Sequence, residues 1–183
     1  MTRIAFHSSA VAGLAFLLLA GCSTQSQAPD VTGALRDSLN QAGLKDVSVS
    51  QDRDKGVVTL KGNVAADSDK ARAESIAKSM AGSQVVANEI AVLPPGVESQ
   101  AKTINKDVDE GIKKNLDAAL VQQSLNHDVA YSVNNGVVTL TGDVNSQATR
   151  TAAHQIAAGV PYVAQVVNKL DVKHQTATTT GKP

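Results

Sequence analysis

The chain of 183 residues has no tryptophan, and its aromatic residues are Phe6, Phe16, Tyr131 and Tyr162. Single-strand nucleic acid binding uses aromatic platforms for base stacking, so this composition excludes that mode. There is no excess of either charge: 17 Lys and Arg balance 17 Asp and Glu. A chain-wide basic surface for nucleic acid is therefore excluded as well. Cysteine is present once, as Cys22, so neither an intramolecular disulfide nor a multi-cysteine zinc site can form. Gly-x-Ser-x-Gly, Walker and Gly-x-Gly-x-x-Gly patterns are missing, and no two histidines stand at metal-pair spacing. Asp52 and Asp54 lack the further oxygen ligands of a calcium loop, and Asp67 and Asp69 suit a helix N-terminus. The sequence therefore predicts no enzyme, cofactor or metal. What remains is a 42% apolar fraction, which supports cores of Val, Ile, Leu and Ala.

The N-terminus reads as an address. Arg3 precedes the apolar run Ala10–Ala20, which is shorter than the roughly 20 residues a bilayer span requires. The run ends in Leu19-Ala20-Gly21-Cys22. This resembles a bacterial lipobox and implies cleavage before Cys22 and acylation of that cysteine. Ser23, where Asp commonly signals inner-membrane retention, resembles outer-membrane sorting. Two or three acyl chains hold a protein stably, at about 0.8 kcal/mol per buried CH₂.

An internal repeat follows. GVVTLKGNV at 56–64 recurs as GVVTLTGDV at 136–144, and the same offset continues without a gap to Val92 and Val172. Over residues 56–92 and 136–172, 13 of 37 positions are identical. Each copy predicts a helix, a hairpin, a second helix and a final strand. The first helices fall at about 31–42 and 100–123. The second carries an apolar stripe of Ile104, Val108, Ile112, Leu116 and Ala119. Asn134-Asn135-Gly136 is a strong hairpin signal. Gly62 and Gly142 are placed where the second strand ends, at a turn or bulge that a Cβ would block. Asn88 and Asn168 share a strand face with apolar residues, so each needs hydrogen-bond partners within the fold or from a polar ligand.

The fold class is therefore α+β, with two tandem α-β-β-α-β units, each a small mixed sheet packed on two helices. The expected division is a signal peptide at 1–21, a lipidated tether at 22–29, unit one at 30–93 and a stiff Pro-Pro linker at 94–99. Unit two occupies 100–173 and a flexible tail 174–183. Each unit holds a complete pattern and is expected to fold alone.

Gly-x-Val-x-Leu-x-Gly-x-Val, a helix, then Val-x-Asn-x-Ile/Leu-x-Val resembles the BON domain, in both copies, at Gly56–Val92 and Gly136–Val172. The resemblance is to dual-BON lipoproteins of the Gram-negative outer membrane. It implies a lipid-anchored protein facing the periplasm, supporting envelope integrity and stress resistance, with phospholipid binding by a BON unit. It implies no catalysis. In that family an anionic-phospholipid site is associated with the first helix of the second unit. Here Lys102, Lys106 and Lys113 project within about 40° of one another on that helix. The same stripe carries Asp109 and Asp117, so the residues also fit a solvated face paired as Asp109–Lys113 and Lys113–Asp117. The expected partners are the membrane, through acylated Cys22, with anionic phospholipids as ligand. The alternative is a tethered module that binds, or acts as a chaperone for, other envelope proteins.

Overall fold

The computed structural model describes residues 27–173. Cys22, the expected signal peptide and the expected C-terminal tail lie outside the described residues. Unit one runs α1 (Thr32–Gln41), β1 (Val47–Asp52), β2 (Val57–Val64), α2 (Asp67–Ala81) and β3 (Val85–Val92). Unit two runs α3 (Glu98–Gln122), β4 (Ala130–Asn134), β5 (Val137–Thr141), β6 (Asp143–Val144), α4 (Gln147–Ala158), β7 (Gln165–Asn168) and β8 (Asp171–Val172). Both are α-β-β-α-β units, as the repeat predicts.

Each sheet places its central strand between an antiparallel and a parallel neighbour, in the orders β1-β2-β3 and β4-β5-β7. The parallel register is the same in both: Val57 lies opposite Val85, and Val137 opposite Gln165. The pair β6 and β8 continues that register beyond Gly142, with Asp143 opposite Asp171. Gly62 does not end its strand, as the sequence suggests; β2 continues through it to Val64. The chain accommodates this with a positive φ of 126° at Gly62 and 119° at Gly142. At each site the neighbouring loop passes against the glycine, so the residue is fixed by close approach as well as by conformation.

Alternation then sets the cores. Val58, Leu60, Val86 and Ile90 face α1 and α2, where Leu35, Leu39, Ala73 and Ala77 are fully buried. Unit two repeats this with Val138, Leu140, Leu116, Leu120, Ala153 and Ala157. The stripe on α3 is corrected in two places. Leu120, not Ala119, completes the core, and Ile104 is 61% exposed. The reason is length: α3 has 25 residues against 10 in α1, so its first turns project past the sheet they would cover.

The opposite sheet faces meet each other. Val57 and Ala87 of unit one and their repeat equivalents Val137 and Val167 form a third buried cluster. Around it the Gln165 amide donates to Val86 O at 2.7 Å and accepts from the Asn88 N–H at 3.3 Å, satisfying the free edge of β3. Asn135 of one hairpin donates to Glu89 O at 2.8 Å, and Lys169 donates to Asp52 of the other hairpin at 3.0 Å. Lys55 pairs with Asp171. The units are thus joined by reciprocal contacts that approximate an internal two-fold.

Burial alone would raise the Asp52 carboxyl, but Lys169 and the Lys55 N–H outweigh it and hold it below its ordinary value. A lowered carboxylate contributes stability above its unfolded pKa of about 3.9, and loses it as pH falls through the folded value. Asp52→Asn is therefore expected to flatten the acid limb of a pH–stability curve. An unchanged limb would rule out this coupling.

Residues 27–31, which include the end of the expected tether, are held to unit one: the Ala28 N–H donates to Arg53 O at 2.9 Å, and other bonds hold the segment along the β1–β2 hairpin.

Candidate functional site

The first three turns of α3 pass between the end of sheet one and the β4–β5 hairpin. The turn of that hairpin needs positive φ at Asn135 (47°) and Gly136 (78°). Its N–H groups point at α3, where the Asp109 carboxylate accepts both, at 2.8 Å each. Because Asn135 also reaches Glu89 O, Asp109 and Asn135 pin α3, the hairpin and sheet one together.

This corrects the expected pairing on α3. Asp109 is taken up by the hairpin rather than by Lys113. Asp117 lies against Tyr131, whose phenol is raised above its ordinary pKa first by burial and then by the Asp117 charge. The Tyr131 hydroxyl donates to Lys113 O at 3.2 Å. Among the described residues the ion pair on α3 is Lys106 with Glu110, at a loose 3.8 Å.

Lys102, Lys106 and Lys113 are exposed and line one cleft of about 650 Å³ with Asn63, Asn134 and Asn135. Glu110 and the hydrogen-bonded Asp109 share it. The cleft presents three ammonium groups and several amides around a shallow opening. That chemistry suits a phosphate-bearing or other anionic group, since an ammonium acts as a compact point charge with three donors. The helix stripe predicted the lysines' common direction. It did not predict that the hairpin would take Asp109 out of the stripe, because that contact joins residues distant in sequence.

Behind the same Asp109–Asn135 junction is a smaller cleft of about 310 Å³, lined by Asp67, Lys70, Val108 and Tyr162 among others. Burial lowers the Lys70 ammonium below the usual lysine range, while Asp67, Glu74 and Asp109 act in the opposite direction.

The two asparagines of the repeated motif are structural ties. Asn88 donates to Lys70 O at 3.3 Å and to Glu74 at 3.0 Å, and accepts from the Ile90 N–H at 3.4 Å. Asn168 repeats this, donating to Arg150 O at 3.0 Å and accepting from the Leu170 N–H at 3.1 Å. Each joins its last strand to its second helix and blocks an edge N–H. Asn88→Ala is expected to cost about 1–3 kcal/mol, because buried partners are left unpaired. Urea denaturation checks this, and a loss within a few tenths of a kcal/mol would contradict it.

His127 is exposed in the turn before β4 and His154 is half-buried on α4. Asp52 and Asp54 are occupied by Lys55, Lys169 and Gln27. Among the described residues no group of three or more His, Cys, Asp or Glu could hold a metal ion, and no helix is long and apolar enough to cross a membrane.

No curated protein matches the chain. Two solved structures of CdsD, a structural protein of the type III secretion system of Chlamydia trachomatis, are similar at 18% and 17% identity. Each alignment covers 76% of this chain, and 66% and 62% of those chains, with TM-scores of 0.30 and 0.31. A likeness at that score fixes neither fold nor function. The model of the BON domain, in contrast, matches twice, over residues 27–94 and 108–174, each match holding one α-β-β-α-β unit apart from the first turns of α3. With two copies of the motif, the same strand register in each and the family match across most of its length, this chain belongs to the BON domain family.

Proposed function

We propose that the protein is an envelope lipoprotein, anchored to the outer membrane through Cys22 with its BON units in the periplasm, that supports membrane integrity by binding anionic phospholipid headgroups on α3. The observation that carries this reading is the convergence of Lys102, Lys106 and Lys113 on one cleft in which the nearest aspartate is already hydrogen-bonded. A lysine near an anionic surface is worth about 1 kcal/mol, so three give a weak, salt-sensitive attachment. Acyl chains at residue 22 would supply the durable one. The role is binding rather than catalysis, in keeping with family membership and with the lack of a nucleophile or acid–base constellation in the sequence.

The test is co-sedimentation of the unacylated chain, beginning at Ser23, with vesicles containing phosphatidylglycerol. Binding is expected, and it should fall with added salt. Replacing the three lysines by Glu should weaken it by about 1 kcal/mol per lysine before screening, with no loss of thermal stability, since the side chains are exposed. Unchanged binding in the triple variant would reject the lysine site.

A second reading has its own observation. Val97 and Ile104 are 46% and 61% exposed, and they lie about 180° around α3 from the lysines. That apolar side suits a protein partner better than a headgroup. Capture of envelope proteins by a chain that ignores vesicles would favour the tethered protein-binding or chaperone-like module.

A further inference from the structure

The N-terminal segment is fastened at one end of unit one. The Arg53 guanidinium donates back to Ala28 O at 2.7 Å, and the Gln27 amide donates to Asp54 at 2.7 Å. The Gln51 amide donates to Pro29 O at 2.7 Å and accepts from the Val31 N–H at 3.2 Å. Gln84, just before β3, also donates to Pro29 O, at 3.2 Å. Every one of these partners sits at the hairpin end of sheet one, where β2 begins. The lysine cleft is at the other end, against Asn63 and Ala91, where β2 and β3 finish.

We infer that the β1–β2 hairpin tip is the membrane-proximal pole of the molecule and the α3 cleft its distal pole, so that capture of headgroups by α3 lays the body down along the membrane that holds the anchor. This rests on the reading of Cys22 and α3 given above. The geometry sets two lengths. Gln27 is five residues beyond Cys22, so the chain between them, the leash, spans at most about 18 Å. From Val57 to Asn63 along β2 is six residues, or about 20 Å, and the hairpin loop adds to that. A body standing on its anchor therefore holds the lysines off the surface. Turning about the hairpin pole brings them down without lengthening the leash. The anchored membrane is favoured over an apposed one because a short tether makes the second contact intramolecular, at an effective concentration in the millimolar range. A salt-sensitive lysine cleft then acts as the second foot of a two-point attachment.

The experiment uses the acylated full chain in vesicles. Ser83→Cys, beside the start of β3, and Ser99→Cys, in the lining of the cleft, each carry one fluorophore, because the thioether at Cys22 does not react. Both serines are exposed. Quenching by an acceptor dye on the lipid headgroups reports height. On neutral phosphatidylcholine vesicles residue 83 is expected to be quenched and residue 99 not. On vesicles with phosphatidylglycerol residue 99 should become quenched as well, and high salt should reverse that gain. Gln51→Ala, Arg53→Ala, Asp54→Ala and Gln84→Ala together remove every side-chain bond that fastens residues 27–31 and leave one backbone bond, from the Ala28 N–H to Arg53 O, so the leash can lengthen to nine residues, about 30 Å, and the difference on neutral vesicles should vanish.

Equal quenching of the two sites on neutral vesicles would overturn the assignment of poles, as would a difference that survives release of the segment. Residue 99 staying unquenched on anionic vesicles that do bind the unacylated chain would overturn the laying-down. Failure of the unacylated chain to bind at all would instead overturn the headgroup reading, and with it the second foot, while the neutral vesicles still decide the poles. Mass measurement of an N-terminal peptide without lipid on Cys22 would overturn both.

Discussion

Gly62→Ala and Gly142→Ala are each expected to destabilise their unit by about 3–5 kcal/mol, which for a small domain approaches its whole stability. Two costs combine. At φ of 126° and 119° an L side chain is strained. In addition, a Cβ at 62 would stand 2.0 Å from Asp46 O, and one at 142 would stand 2.4 Å from Asp128 O. Both obstacles are backbone, on the loop that leads into β1 or β4, so no rotamer change relieves them. The loop would have to move, and Val47 and Val129, buried beside it, would move too. Gly43→Ala separates the two costs. Its φ is 80°, but nothing lies within 4 Å of the added carbon, so only the conformational strain of about 1–2 kcal/mol applies. Urea midpoints of the three variants provide the comparison. Similar losses at 43 and 62 would show that close approach contributes nothing and that conformation alone selects the glycine.

The position of these glycines was legible in the sequence, but their geometry was not. The spacing of GVVTLKGNV and GVVTLTGDV marks both as special, and a glycine in a strand ordinarily signals a bulge or close approach. Whether the strand stops there depends on β3, which pairs with β2 up to Val64, and that contact lies almost thirty residues away. The same division recurs elsewhere. Periodicity identified Leu35, Leu39, Ile112 and Leu116, because one helix face decides them. It misassigned Ile104, because the stripe continues past the end of the sheet that would cover it. At α3 the lysines' direction follows from 100° per residue, while the fate of Asp109 follows from a hairpin 26 residues later. Local rules reached each element. They did not reach the faces that elements present to one another, and the candidate cleft is made of such faces.

The interface between the units is the largest feature of that kind, and the expectation that each unit folds alone depends on it. Val57, Ala87, Val137 and Val167 are 1–2% exposed, and their cover comes from the other unit. On separate units all four would face water. Val137→Asp is therefore expected to part the units while sparing their cores. An unpaired carboxylate there has no cation within the cluster, and leaving it buried would cost about 3 kcal/mol or more. The chain has a cheaper response: the sheets separate, the aspartate is hydrated, and the penalty is limited to the free energy of the interface itself. The cores on α1 and α2, and on α3 and α4, contain none of these four residues, so each unit can persist. Calorimetry should show one thermal transition in the parent chain and two in the variant, with amide shifts concentrated at residues 57, 86–89 and 165–169. Val57→Asp should do the same, because the contacts are reciprocal across the internal two-fold. If either variant melts in a single transition at the parent temperature, the four-residue cluster contributes no cooperativity, and the coupling of the two units lies in the polar contacts around it.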